Sequence, residues 1–292
     1  MPSFFAILST LLFSLSTPFS KILAARYPPL FLAGLFYAGS ALGALSGLFR
    51  PLGLGPESPR AFLDLPGLSH RARLALGASI VVGGGIAPVL FVVGLKGARA
   101  SAGSLLMNAE GILTVVLAVI LFRERITLRL VLGTLLGAGG CAILSLHSSM
   151  GSGLWALPFL GASFLWALDS NLLRYLPGVN PLVLTVWKGV GSSVLLLGVS
   201  AMVEPWSRPP FSDLGLILAV GGIGYGVSLV FFVRSIRTIG VSRTGAWFSF
   251  SPFLGALLSL WLLRERVPEV FYMAAGILFI AALLLTERPG EE

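Results

Sequence analysis

Leu121-Phe122-Arg123-Glu124-Arg125-Ile126 and Leu262-Leu263-Arg264-Glu265-Arg266-Val267 repeat one pattern: an apolar run ends in Arg-Glu-Arg, and a β-branched residue follows. Arg264 stands 141 residues after Arg123, and the same offset sets Ser101 on Ser242, Gly83 on Gly224 and Gly85 on Gly226. Nearer the N-terminus an offset of 153 sets Phe13 on Trp166 and Lys21 on Arg174, while Pro29 and Pro181 each open an apolar run. Self-similarity at a fixed spacing marks a duplicated structural unit. The chain therefore reads as two copies of one unit, residues 1–147 and 150–288.

Composition says what the unit is made of. Of 292 residues, 56% are hydrophobic and 11% charged, and the mean hydropathy is +0.94. Soluble domains carry about 25% charged residues, so the solvent for most of this chain is lipid. About 20 apolar residues cross roughly 30 Å of hydrocarbon as a helix. Runs of that kind occupy residues 4–23, 30–49, 74–95, 100–121, 127–146, 153–173, 181–202, 213–233, 242–263 and 268–286. They are broken at Arg26-Tyr27-Pro28-Pro29, Lys96-Gly97-Ala98-Arg99, Pro177-Gly178-Val179-Asn180-Pro181 and Glu204-Pro205-Trp206-Ser207-Arg208-Pro209-Pro210. The expected fold is an all-α polytopic membrane protein of ten transmembrane helices. The first run has no basic region before it and no A-x-A-like site after it, which reads as a retained span. The one long polar connection, residues 50–73, is too short and too rich in Pro and Gly for a domain of its own, so no soluble catalytic module is expected.

Five spans per copy is an odd number, so the second copy enters the membrane upside down. The two Arg-Glu-Arg motifs then face opposite sides, as in the inverted repeats of secondary transporters. With ten spans both termini share one side. That side collects 12 Lys and Arg, the other collects 7, and Lys188 lies inside a span. The excess places both termini in the cytoplasm. These arginines punctuate the ends of apolar runs, so the net charge of +8 reads as interfacial anchoring and not as a nucleic-acid footprint.

With its ten spans, two five-span halves and a fourth span running into Arg-Glu-Arg in each half, the sequence resembles the EamA-type branch of the drug/metabolite transporter superfamily. The resemblance covers nearly the whole chain. It implies a central cavity lined by the first, third, fourth, sixth, eighth and ninth spans, and export of amino acids, related metabolites or drugs. Small multidrug pumps of that superfamily carry a proton-coupling carboxylate eight residues before a lysine in the first span. Phe13 and Trp166 hold the matching places before Lys21 and Arg174, so coupling by that residue is not expected.

Charged groups cost at least about 2.5–3.5 kcal/mol each at the bilayer centre, and so each needs a reason. Glu110 lies in the middle of the fourth span with Asn108 before it and Gly111 after it; the equivalent place in the second copy holds Ser249, Ser251 and Pro252. Both copies offer polar groups where helical hydrogen bonding is weakened, as in the discontinuous helices that hold transported solutes. Glu110 is a candidate for substrate or proton binding, and a structural carboxylate is the alternative. Lys188 either meets substrate or Glu110, or snorkels to the surface. Asp169 and Asn171 read as an interfacial network with Arg174. Trp166, Trp187, Trp247 and Tyr225 are candidate cavity walls or helix packing, while Trp155, Trp206 and Trp261 read as belt residues. The candidate substrate-binding set is therefore Asn108, Glu110, Trp166, Lys188, Tyr225, Trp247 and Ser251.

Other chemistries find little support. Gly83-Gly84-Gly85 and Gly221-Gly222-Ile223-Gly224-Tyr225-Gly226 lack the ending of a P-loop and read as close helix approach or flexing. His70 and His147 are the two histidines, both near span ends, and suggest no metal site. Cys141, the one cysteine, cannot form an intrachain disulfide. The expected function is a multi-pass secondary transporter of a cell membrane, with a small-molecule substrate, lipid as its other partner and no cofactor. An intramembrane enzyme and a channel or scaffold are the competing classes, and monomer and homodimer stand open.

Overall fold

The computed structural model describes residues 3–45, 69–122, 127–146, 153–172, 175, 176, 179–205, 207–239, 244 and 247–285. The Arg123-Glu124-Arg125 motif, Arg174, Ser242 and most of the 50–73 connection lie outside the described residues. Among the described residues every regular element is helical. In chain order they are α1 (Phe4–Ala24), α2 (Pro29–Leu45), α3 (His70–Val81), a π-helical turn Val82–Ile86, α4 (Ala87–Gly97), α5 (Ala100–Leu106), α6 (Asn108–Phe122) and α7 (Leu128–Leu146). The 3-10 turn Gly153–Trp155 then leads into α8 (Ala156–Leu172), followed by α9 (Pro181–Val203), α10 (Phe211–Val220), a second π-helical stretch Gly221–Val227 and α11 (Ser228–Ile239). The helices Ser251–Leu262 and Glu269–Leu285, α12 and α13, complete the described chain.

Among the described residues six helical runs are long and apolar enough to cross a bilayer: Phe4–Ala24, His70–Gly97, Ala100–Leu121, Leu128–Leu146, Pro181–Val203 and Phe211–Ser235. Pro29–Leu45, Ser251–Leu262 and Glu269–Leu285 are apolar and shorter. Local chemistry sets the starts. Pro181 occupies the first turn of α9, where its missing N–H costs nothing, and Asn180 Oδ1 accepts from Leu182 N at 2.9 Å. In the ninth apolar run the described residues 244, 247 and 248 are helical, a turn follows at Ser249-Phe250, and α12 continues from Ser251. The fourth run is likewise interrupted, at Met107.

Leu23, Leu32, Phe36, Phe91, Val92, Leu95, Phe159 and Ile217 form the centre of the main core. Leu135, Val194, Leu257 and Ile280 are exposed, which leaves apolar side chains facing outward as lipid requires. Buried serines accompany the core, among them Ser9, Ser14, Ser20, Ser40 and Ser192. With lipid as solvent, helices gain little from hiding apolar surface and associate through close packing. The glycines supply that closeness. A Cβ on Gly221 would strike the carbonyl oxygen of Phe36, and one on Gly226 the carbonyl oxygen of Ser40, so backbone meets backbone between α2 and the second π-helical stretch.

Candidate functional site

Where α3, α8 and α9 meet, a charged cluster is buried. One oxygen of Asp169 accepts from Ser79 Oγ and the other from Lys188 Nζ. The two side chains of the ion pair are 7% and 8% exposed, so the pair is cut off from water. The first π-helical turn makes room for it. A Cβ on Gly83 would overlap the Asp169 carboxylate, and one on Gly84 would overlap Ser192 Oγ. The turn also releases an acceptor. Ala87 N bonds to Val82 O, and Pro88, the next residue, has no N–H to offer Gly83 O. That carbonyl instead accepts from Tyr37 Oη and Trp166 Nε1, each at 2.9 Å. An orphan main-chain oxygen is thus satisfied by two side chains that fix the walls of the cluster.

Glu110 lies in the first turn of α6, just past the break at Met107, where a negative charge favours the helix N-terminus. Glu110 N bonds to Met107 O at 3.0 Å, and Asn108 Nδ2 donates to Leu105 O at 2.9 Å, tying the two sides of the break together. The carboxylate is half-buried and within electrostatic range of both Asp169 and Lys188. The cluster therefore holds two carboxylates and one ammonium. The break before α12 is served by hydroxyls: Ser251 Oγ is 3.2 Å from Ser14 Oγ, Ser14 Oγ donates to Ser251 O at 3.1 Å, and Ser104 Oγ donates to Pro252 O at 2.8 Å.

Glu110, Trp166 and Lys188 are thus brought to one place, with Asn108 bracing the break beside them. Tyr225 belongs to the second π-helical stretch and stacks on Phe36 at 5.6 Å, with Phe13 at 6.0 Å and Tyr37 at 6.1 Å. Tyr37 spans the two regions, its hydroxyl on Gly83 and its ring beside Tyr225. Ser251 joins α1 through Ser14. Trp247 goes elsewhere: it is 40% exposed and lines an apolar cavity of about 340 Å³ with Ile7, Leu11, Phe250, Phe253 and Phe279, which shares no lining residue with the charged cluster.

The structure gives two charged residues their surroundings. Asp169 is buried against Lys188 and Ser79, while Arg174 lies outside the described residues. Lys188 does not snorkel, because Asp169 gives its ammonium a partner inside the protein. Asp169, Ser79 and Tyr37 were missing from the candidate set. The available signal was that Asp169 and Lys188 sit on the two helices flanking one connection, 173–180, and a buried cation demands a carboxylate at its own depth. Among the described residues no group of three or more His, Cys, Asp or Glu could hold a metal ion.

The offsets found in the sequence reappear in space. They carry Asp169 to Ser16 and Gly83 to Gly224, and a Cβ on Gly224 would press on Ser16 as one on Gly83 would on Asp169. The two π-helical stretches, and the breaks at Met107 and Ser249-Phe250, stand at matching places. One version is charged and the other carries hydroxyls.

Comparison with known proteins places these features. The EamA-like transporter family matches residues 1–146 and 153–287. An uncharacterized transporter of Methanothermobacter thermautotrophicus is 28% identical over 214 residues, which cover 70% of this chain and 62% of that protein. The uncharacterized transporter YyaM of Bacillus subtilis is 27% identical over 207 residues, 67% of either chain. A solved crystal structure superposes with a TM-score of 0.67 at 18% identity, covering 98% of this chain and 97% of that one, which establishes a shared fold.

Proposed function

We propose, from the premise that this chain belongs to the EamA-like transporter family, that it is a secondary active transporter exporting amino acids or related small metabolites by alternating access. In this reading the chain crosses a cell membrane ten times, as two inverted halves, residues 1–147 and 150–288, with both termini in the cytoplasm. The observation that carries it is the buried Asp169–Lys188 pair with Glu110 in range. A buried ion pair contributes little net stability compared with apolar packing, and intramembrane ionisable groups mark solute or proton pathways. The cluster sits beside one π-helical stretch and one broken helix, and its hydroxyl-lined counterpart beside the other pair. Two similar halves can exchange conformations, which turns an outward-open cavity into an inward-open one.

The test is uptake of a radiolabelled metabolite library into proteoliposomes, with and without a pH gradient. Accumulation of at least one small polar compound against its gradient is expected. Equilibration without accumulation under every imposed gradient would favour a channel, and chemical conversion of a compound would favour an enzyme.

Inversion has its own test. In a Cys141→Ala background, a cysteine beside Arg123 is expected to react with impermeant thiol reagents from the cytoplasmic side, and one beside Arg264 from the opposite side. Reaction of both from one side would refute the inverted arrangement.

A further inference from the structure

The apolar cavity of about 340 Å³ beside Trp247 has no part in the charged cluster. Three elements wall it: Leu11 comes from α1, Trp247, Phe250 and Leu257 from the ninth apolar run, and Phe279 from α13. The Phe279 ring is held by Phe250 at 5.7 Å and by Phe253 at 5.5 Å, so this wall is already packed behind its face. The cavity is open to the outside. Leu11 is 45% exposed and Leu257 61%.

Its depth follows from the helices around it. Thr10 Oγ1 donates to Trp247 O and Ser14 Oγ to Ser251 O, each at 3.1 Å, so α1 and the ninth run are parallel. After residues 263–268 the chain returns as α13 and brings Phe279 back to the rings of Phe250 and Phe253, which makes α13 antiparallel to both. The start of α1 and the end of α13 therefore share one side. At 1.5 Å per residue, Leu11 lies about 10 Å from Phe4 and Phe279 about 9 Å from Leu285. In a hydrocarbon layer roughly 30 Å thick, that is the acyl region of a single leaflet.

The chemistry of the wall selects the occupant. Thr10 supplies the hydroxyl of the lining, and it is buried and turned to Ala6 O at 2.8 Å and to Trp247 O. A polar solute finds no partner here, and a buried water needs about two to four. An apolar cavity of about 150 Å³ already takes up benzene, and this one is larger and opens directly onto lipid tails. Unfilled, its aromatic walls would forfeit dispersion contacts on one side.

We propose that this cavity is a binding site for one acyl chain of a phospholipid from the leaflet in which α1 begins. Trp247 stands before the turn at Ser249-Phe250 and Leu257 after it, so the chain touches both segments of the interrupted ninth run. The site is distinct from the general lipid coat because it is a recess between three helices, and it is independent of what the protein transports.

The α7 surface provides the comparison. Gly133 faces Leu284 and Leu285, so α7 begins in the same leaflet, and Leu132 and Leu135 lie at similar depth with 45% and 65% exposure, matching Leu11 and Leu257. The full chain is reconstituted in phosphatidylcholine vesicles carrying a trace of phosphatidylcholine with a diazirine midway along one acyl chain. After irradiation, adducts are located by mass spectrometry of the digested protein. Adducts at Leu11, Trp247 and Leu257 are expected to exceed those at Leu132 and Leu135 by about fivefold or more, the ratio that a modest affinity difference produces. In Leu11→Trp with Leu254→Phe, larger side chains fill the cavity, and the excess should fall to the α7 level. Equal yields in the parent protein would mean lipid coat alone and overturn the site. Yields below those of α7 would mean another occupant, such as a second copy of the chain, and overturn it equally. An excess that survives filling would do the same. Should the filled variant not fold, the comparison within the parent protein still decides, and no step requires a transported compound.

Discussion

Asp169→Ala is expected to destabilise the protein by about 3–5 kcal/mol, the cost of leaving a buried charge without its partner. Lys188 loses its counter-ion, Ser79 loses its acceptor, and the space beside Gly83 is left unfilled. Thermal unfolding in detergent, followed by tryptophan fluorescence, measures the loss. The companion variant Asp169→Asn with Lys188→Met removes both charges, keeps an acceptor for Ser79 and roughly preserves volume. It should regain most of the stability while transport stays low. A double-mutant cycle separates the pair's coupling from the cost of each truncation. If Asp169→Ala unfolds with the wild type, the ion pair does not hold this part of the fold. If the double variant transports normally, the pair is structural and the site lies elsewhere.

Glu110→Gln is expected to lower transport at least about tenfold with little change in unfolding temperature, and to flatten the dependence of transport on pH. The amide keeps the shape and most of the hydrogen-bonding capacity of the carboxyl group but cannot carry a proton or a full charge. Glu110 is suited to this role because no hydrogen bond to its carboxylate is found among the described residues, unlike Asp169, whose oxygens are both occupied. It is the member of the cluster free to exchange partners. Glu110→Asp keeps the titrating group and should be milder. Rate and pH profile together decide the matter, at matched reconstitution levels. A Glu110→Gln protein with wild-type values of both would make the residue a first-turn carboxylate that serves its helix dipole and nothing more.

The Glu110 and Lys188 readings show how far the sequence reached. Both are charges in the middle of apolar runs, and an intramembrane charge is conspicuous whatever its neighbours. Asp169 is equally charged, yet it lies four residues from the end of its run beside Arg174, where a one-dimensional reading gives an acid the nearest base as its partner. Helix α9 decides otherwise, because it sets Lys188 beside Asp169 and buries both. Tyr37 carried no signal as one aromatic among apolar residues. Its function depends on the carbonyl that Pro88 leaves unpaired in another helix. Trp247 was grouped with Trp166 because both lie within a run, but its side of the helix faces the outer apolar cavity. Depth is legible from position in a run; azimuth is not, when the run is apolar all round.

By itself, then, the sequence determined that this chain is a multi-pass helical membrane protein, and its spacings suggested two related halves. Apolar length and the scarcity of charge are properties of each segment alone, and a duplicated unit shows itself by spacing without any contact being known. It also determined where helices break, since Gly, Pro and the polar pairs at 108–110 and 249–252 act on the backbone they belong to. Only the tertiary structure decided which charge pairs with which, that the glycine runs become π-helical turns against a carboxylate and a helix, and that Glu265 caps α5 from 164 and 165 residues away. Those outcomes depend on how helices are rotated and stacked. In lipid that is set by close contact between small side chains distant in sequence, which leaves no periodic trace along any one of them.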